Sequence, residues 1–139
     1  IEGTAGKDVI VGDAGPNKID GKGGNDLICG KNGDDEIEAG GGNDLVDAGG
    51  GDDQVLGDDG DDELAGGQGD DTIRGGDDAD ELDGGNGDDR LYGDGGDDTL
   101  AGGGDDDTLA GGDGSDSLDG DAGTNWCTQA GTGSLLLPC

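Results

Sequence analysis

Aspartate returns at one place in every nine residues of this chain, and repeated oxygen donors at fixed spacing point first to cation binding. Asp8, Asp26, Asp44, Asp62, Asp80, Asp98 and Asp116 stand eighteen residues apart. Asp35, Asp53, Asp71, Asp89 and Asp107 interleave with them, flanked by Asn17 and Asn125. Other chemistries lack their residues. The chain has no His, which excludes Ser–His and Cys–His nucleophilic pairs. Tyr92 and Trp126 are its only aromatics, so carboxylate acid–base work on a sugar would have no stacking platform. The glycine runs mimic phosphate-binding loops, but no strand–loop–helix unit contains them. A net charge of -31 also repels phosphate and nucleic acid. An enzyme is therefore not expected, nor a nucleic-acid partner.

The elements that must position these carboxylates are written in the same period. Fourteen nonads run without a slip from Gly3 to Thr128. The first position is Gly, or Ala at Ala39 and Ala48; the fourth is Gly except at Asp78 and Asp105; the eighth is Ile, Val or Leu except at Cys127. The remaining positions vary. Composition alone reads as disorder, since Leu, Ile, Val and Phe supply only 22 of 139 residues. The fixed period overrides that reading. Apolar residues nine apart do not line one helical face, and each glycine in a helix would cost about 1 kcal/mol. A strand of about three residues around position eight, with that side chain inward and its neighbours outward, fits instead. The six residues between strands turn, using the positive φ that glycine allows.

Strand–turn–strand–turn gives one coil per two nonads. The expected fold is all-β: a parallel β-roll solenoid of about seven 18-residue coils, with two short sheets and a rod length on the order of 34 Å. The aspartates then stack in two columns, one strand spacing apart, where like charges repel. A solvated acidic face would not demand Asp at position six in twelve of fourteen nonads, so something positive must sit between the coils. Calcium fits best, because it takes roughly six to eight oxygen ligands in flexible geometry. Magnesium keeps its waters, and zinc or copper would call for His or Cys. Up to roughly twelve ions have room between seven coils, with the fourteen sixth-position residues as side-chain ligands and Asn17 and Asn125 as weaker terminal ones.

Units such as "GGQGDDTIR" (66–74) and "GGNGDDRLY" (84–92) match G-G-x-G-x-D-x-U-x, with U a large apolar residue. The chain thus resembles the RTX (repeats-in-toxin) calcium-binding β-roll family over residues 3–128. The resemblance implies a right-handed roll, calcium between stacked turns, and a secreted protein that orders in a calcium-rich exterior. It supplies no effector activity, because such repeats accompany many different activities.

The expected organisation is one domain, 1–128, followed by a capping tail, 129–139. Trp126 and Leu135–Leu137 are expected to cover the open end of the roll, and Cys127 and Cys139 to close a loop there as a disulfide; two reduced cysteines or a bond between chains are the alternatives. "LLLP" is too short to span a membrane. Cys29 is odd, either free or paired between chains. Asp78 and Asp105, replacing turn glycines, are expected to distort their turns; use of the extra oxygen as a ligand is the alternative. Charge is uneven: residues 1–31 carry net -1 and residues 32–139 net -30. The N-terminal end is therefore the least repulsive surface, suited to an upstream domain or another copy. A start at Ile1 without a signal peptide reads as a mature product or a fragment. Two functions stay open: a calcium-dependent folding module, or a structural protein whose rolls associate head to tail into an extracellular fibre or surface layer.

Overall fold

A computed structural model describes residues 1–129 and 137–139. In chain order its strands are β1 Val9–Val11, β2 Lys18–Asp20, β3 Leu27–Asn32, β4 Glu36–Gly41, β5 Leu45–Gly50, β6 Gln54–Asp59, β7 Glu63–Gln68 and β8 Thr72–Asp77. They continue as β9 Glu81–Asn86, β10 Arg90–Gly95, β11 Thr99–Gly104, β12 Thr108–Asp113, β13 Ser117–Asp119, β14 Trp126–Thr128 and β15 Leu137–Pro138. Odd-numbered strands β1 to β13 form one seven-stranded sheet; even-numbered strands and β15 form an eight-stranded one. Pairing is parallel and each residue meets the one eighteen positions on, as in Leu27↔Leu45 and Leu45↔Glu63. This is the β-solenoid of about seven coils that the period predicts.

Strand length departs from expectation. From β3 to β12 each strand has six residues rather than three. The ladder runs on through the first three positions of the next nonad, so half of the supposed turn is paired strand. Alternation continues with it: position eight points in, position nine out and the following position one in, as the buried–exposed pattern of β4 shows. A parallel ladder gains its hydrogen bonds from the stacked coil, and low side-chain propensity at glycine does not prevent that.

The core is a double row of eighth-position side chains, from Ile10 to Leu109 with Cys127, joined by Ala39 and Ala48 at position one. Leu118, on the terminal strand β13, is only partly buried against it. The described tail pairs antiparallel with the last strand, Trp126↔Pro138 and Cys127↔Leu137. A disulfide joins Cys127 to Cys139, with Cα atoms 5.9 Å apart. Cys29 is free and half-buried. Of the expected cover by Leu135–Leu137, Leu135 and Leu136 lie outside the described residues and only the backbone of Leu137 is described. Trp126 does not cover the open end: it pairs with Thr108 and stands 45% exposed on the outer face, because position seven points outward. No helix of the described residues is long and apolar enough to cross a membrane.

Candidate metal centre

The sixth-position side chains sit where each turn re-enters a strand, and the structure brings them into the two predicted columns. Each donates its own backbone N–H to the Oδ1 of the next residue in its column. The distances are 2.7 Å from Asp26 to Asp44, 2.8 Å to Asp62, 2.9 Å to Asp80 and 3.0 Å to Asp98. The other column runs from Asn17 through Asp35, Asp53, Asp71, Asp89 and Asp107 to Asn125 in the same way. Ten of these aspartates are at most 3% exposed.

One carboxylate oxygen is thus occupied and the other is not. Oδ2 of Asp26, Asp35, Asp44, Asp53, Asp62, Asp71, Asp80, Asp89, Asp98, Asp107 and Asp116 is buried without a hydrogen-bond partner. An unpaired buried carboxylate oxygen is costly, so this row calls for a positive charge. The ends of the columns differ. Asp8 Oδ2 accepts from the Thr4 N–H and hydroxyl, at 2.6 and 2.9 Å. Asn17 Oδ1 accepts from the Asp13 N–H at 3.2 Å. Asn125 spends Oδ1 on the Asp107 N–H and donates Nδ2 to the Gly120 carbonyl, leaving no spare oxygen.

Backbone oxygens surround the unpaired carboxylates. A Cβ on Gly57 would strike both Asp62 Oδ2 and the Gly75 carbonyl oxygen of the next coil. Only glycine or a locally adjusted Ala fits position one, because the oxygens converge there. At position four, Gly69 has φ +118° and lies against the Gly51 carbonyl oxygen of the preceding coil. Carbonyls at positions two and four therefore point forward along the rod and those at position one point back, into the same gap. Among the described residues no three His, Cys, Asp or Glu side chains converge. A cation here would be held by one carboxylate per turn and several carbonyls, a donor set that suits a hard ion.

Electrostatics agree with the geometry. Burial pushes the carboxyls of Asp62, Asp71, Asp80 and Asp89 up to about 7, against the lowering effect of the N–H each accepts. Like-charged neighbours in the column add to the rise. Burial raises Asp53 to about 6, and lifts Asp44, Asp98 and Asp107 as well.

Three features were not anticipated. Position two is left-handed throughout the interior, not only at glycines but at Lys22, Lys31, Asp58 and Asp94. Position-five carboxylates build a second, exposed ladder running the opposite way, as in Asp70 N–H to Asp52 Oδ1 at 3.0 Å and Asp88 N–H to Asp70 Oδ1 at 3.0 Å. Lys31 Nζ donates to the Gly12 carbonyl at 2.7 Å, placing an ammonium beside the turn that carries neutral Asn17. The expected distortion at Asp78 and Asp105 is local: the fourth-position N–H bond to the next coil, made by Gly42, Gly51 and Gly69, is not found at either, and the bonds Gly60 to Asp77 and Gly87 to Gly104 lengthen to 3.3 Å. Both adopt φ 78°, left-handed like the glycines they replace, and the register past them is unbroken. Asp tolerates this region better than most residues with a side chain.

No individually characterised protein matches the chain by sequence. A family model, the RTX calcium-binding nonapeptide repeat, matches it in four copies at residues 2–37, 30–64, 56–91 and 92–127. Its repeat is the nonad that builds the stacked aspartate columns, and the chain belongs to the RTX calcium-binding nonapeptide-repeat family.

Proposed function

We propose that the chain is an extracellular module whose folding is coupled to calcium, held between stacked turns by the sixth-position carboxylates. The observation that carries this reading is the row of buried Oδ2 atoms without partners. Asp26, Asp35, Asp44, Asp53, Asp62, Asp71, Asp80, Asp89, Asp98, Asp107 and Asp116 are the principal side-chain ligands. Asp8, Asn17 and Asn125 contribute less, since their second polar atom is engaged within the protein. The gaps between coils accommodate roughly twelve ions. Bound calcium supplies the positive charge that the columns lack, and binding is then part of the folding free energy. A right-handed roll and export from the cell accompany this reading, as in the family at large. No catalytic domain is evident in the described residues.

The antiparallel pairing of β15 on β14 favours a self-contained module over head-to-tail fibres. A stacking copy would need that edge for a parallel strand. Circular dichroism at about pH 8, above the raised carboxyl values, tests the proposal: chelator should leave little β-structure, and calcium should restore it cooperatively with several ions per chain. Equal β-content in both conditions, or a stoichiometry of one or two, refutes it.

A further inference from the structure

The outer face of the seven-stranded sheet changes character along the rod. On its first three strands Val9 is 68% exposed, Val11 52%, Leu27 42% and Leu45 43%. Val9, Leu27 and Leu45 stand side by side in one register row; in the next, Val11 pairs with Cys29 and Cys29 with the exposed Asp47. The row then meets Glu63 and Glu81. On the opposite sheet the corresponding outward positions carry Lys18, Glu36 and Glu38. A contiguous apolar patch on so acidic a molecule marks an interaction surface.

Charge identifies the occupant. Residues 1–31 carry net -1, while the rest of the chain carries -30. Repulsion of a second copy is therefore weakest at this end, where Val9, Leu27 and Leu45 offer it an apolar row like its own. We propose that this face joins two copies of the chain, face to face and antiparallel, about a two-fold axis at Leu27. An isologous contact of this kind sets Leu27 against Leu27 and Val9 against the partner's Leu45. The antiparallel sense follows from charge as well. It overlaps only the first coils and sends the two acidic bodies in opposite directions, whereas parallel rods would lie with those bodies alongside each other.

The test uses the calcium-loaded chain carrying Cys29→Ala, so that no thiol can link copies. Sedimentation equilibrium should show a concentration-dependent dimer. Leu27→Glu, which opposes two like charges at the axis, should raise the dissociation constant about tenfold or more. Its circular dichroism should stay unchanged, and Thr99→Glu on the same sheet beyond the patch should leave the dimer intact. A spin label at Thr99→Cys, four coils from Leu27, should give a separation of roughly 40 Å between copies; parallel rods would give roughly 10 Å. A monomer at every concentration overturns the proposal and leaves the face to a different partner. A dimer insensitive to Leu27→Glu, or the short label distance, overturns it equally.

Discussion

The metal-stripped protein should fold as pH falls, which is opposite to the behaviour of most proteins held together by carboxylates. Folding raises Asp53 to about 6 and Asp62, Asp71, Asp80 and Asp89 to about 7, against about 3.9 in an unfolded chain. Between these values the folded rod binds more protons than the unfolded chain, so stability falls as pH rises. Stability without metal is therefore greatest below about pH 4, declines towards pH 7 and stays low above it. At pH 5.5 these five groups alone take up between about four and five protons on folding. Circular dichroism of metal-stripped protein from pH 8 to 4 should show β-structure growing on the acid side. Calorimetry in buffers of different ionisation heat should count the protons. Asp71→Asn keeps the acceptor for the Asp53 N–H but has no proton to gain, so its uptake should drop by about one. Asp77→Asn, at an exposed position outside the columns, should not change the count. Calcium reverses the dependence, because ligation requires the deprotonated carboxylate. If β-content without metal rises with pH, or if Asp71→Asn leaves proton uptake unchanged, the partnerless Oδ2 atoms have been misread.

Asp62→Ala should raise the calcium midpoint and lower cooperativity, because it removes a ligand and leaves the Asp44 N–H without its acceptor, an orphaned group worth about 1–3 kcal/mol. Asn17→Ala should do much less in the same titration. Leu91→Ala, at a position with no exposure in the middle of the core row, should cost about 2–5 kcal/mol in urea unfolding of the calcium form. Peptide mapping without reductant should recover Cys127 linked to Cys139 and Cys29 alkylatable; Cys127→Ser should destabilise by about 3 kcal/mol.

What the sequence disclosed was what strict repetition enforces. The eighth-position core from Ile10 to Leu109 and the two columns from Asp8 to Asn125 follow from side-chain identity kept at one phase, and both are found. The strand boundaries were hidden because Gly40 and Gly41 read as turn by propensity, while their pairing with Asp58 and Asp59 one coil away makes them strand. The left-handed backbone at position two was hidden by its mixed occupants: Lys31 and Asp58 share a conformation that Gly49 adopts without cost. At Asp78 the side chain signalled a distorted turn, and the distortion stays local: the turn loses its N–H bond to the next coil while the backbone remains left-handed. Trp126 was misplaced because its size suggested a plug, whereas strand alternation decides its direction.

Because each interior sixth-position N–H is donated to the side-chain oxygen of the following coil, the rod has no natural length. Duplicating residues 57–74 would insert Asp62 and Asp71 once more, each bringing one donor and one acceptor, and every existing bond would find an equivalent partner. Deleting the same segment would be equally silent. The columns end at Asp116 and Asn125, which accept from Asp98 and Asp107 and offer nothing onward, and Asn125 also turns its amide back onto Gly120. Length can therefore drift in steps of eighteen residues at no cost in hydrogen bonding, with the number of ions carried rising in proportion. Calcium capacity in such a molecule is set by gene duplication, independently of the chemistry of any one site.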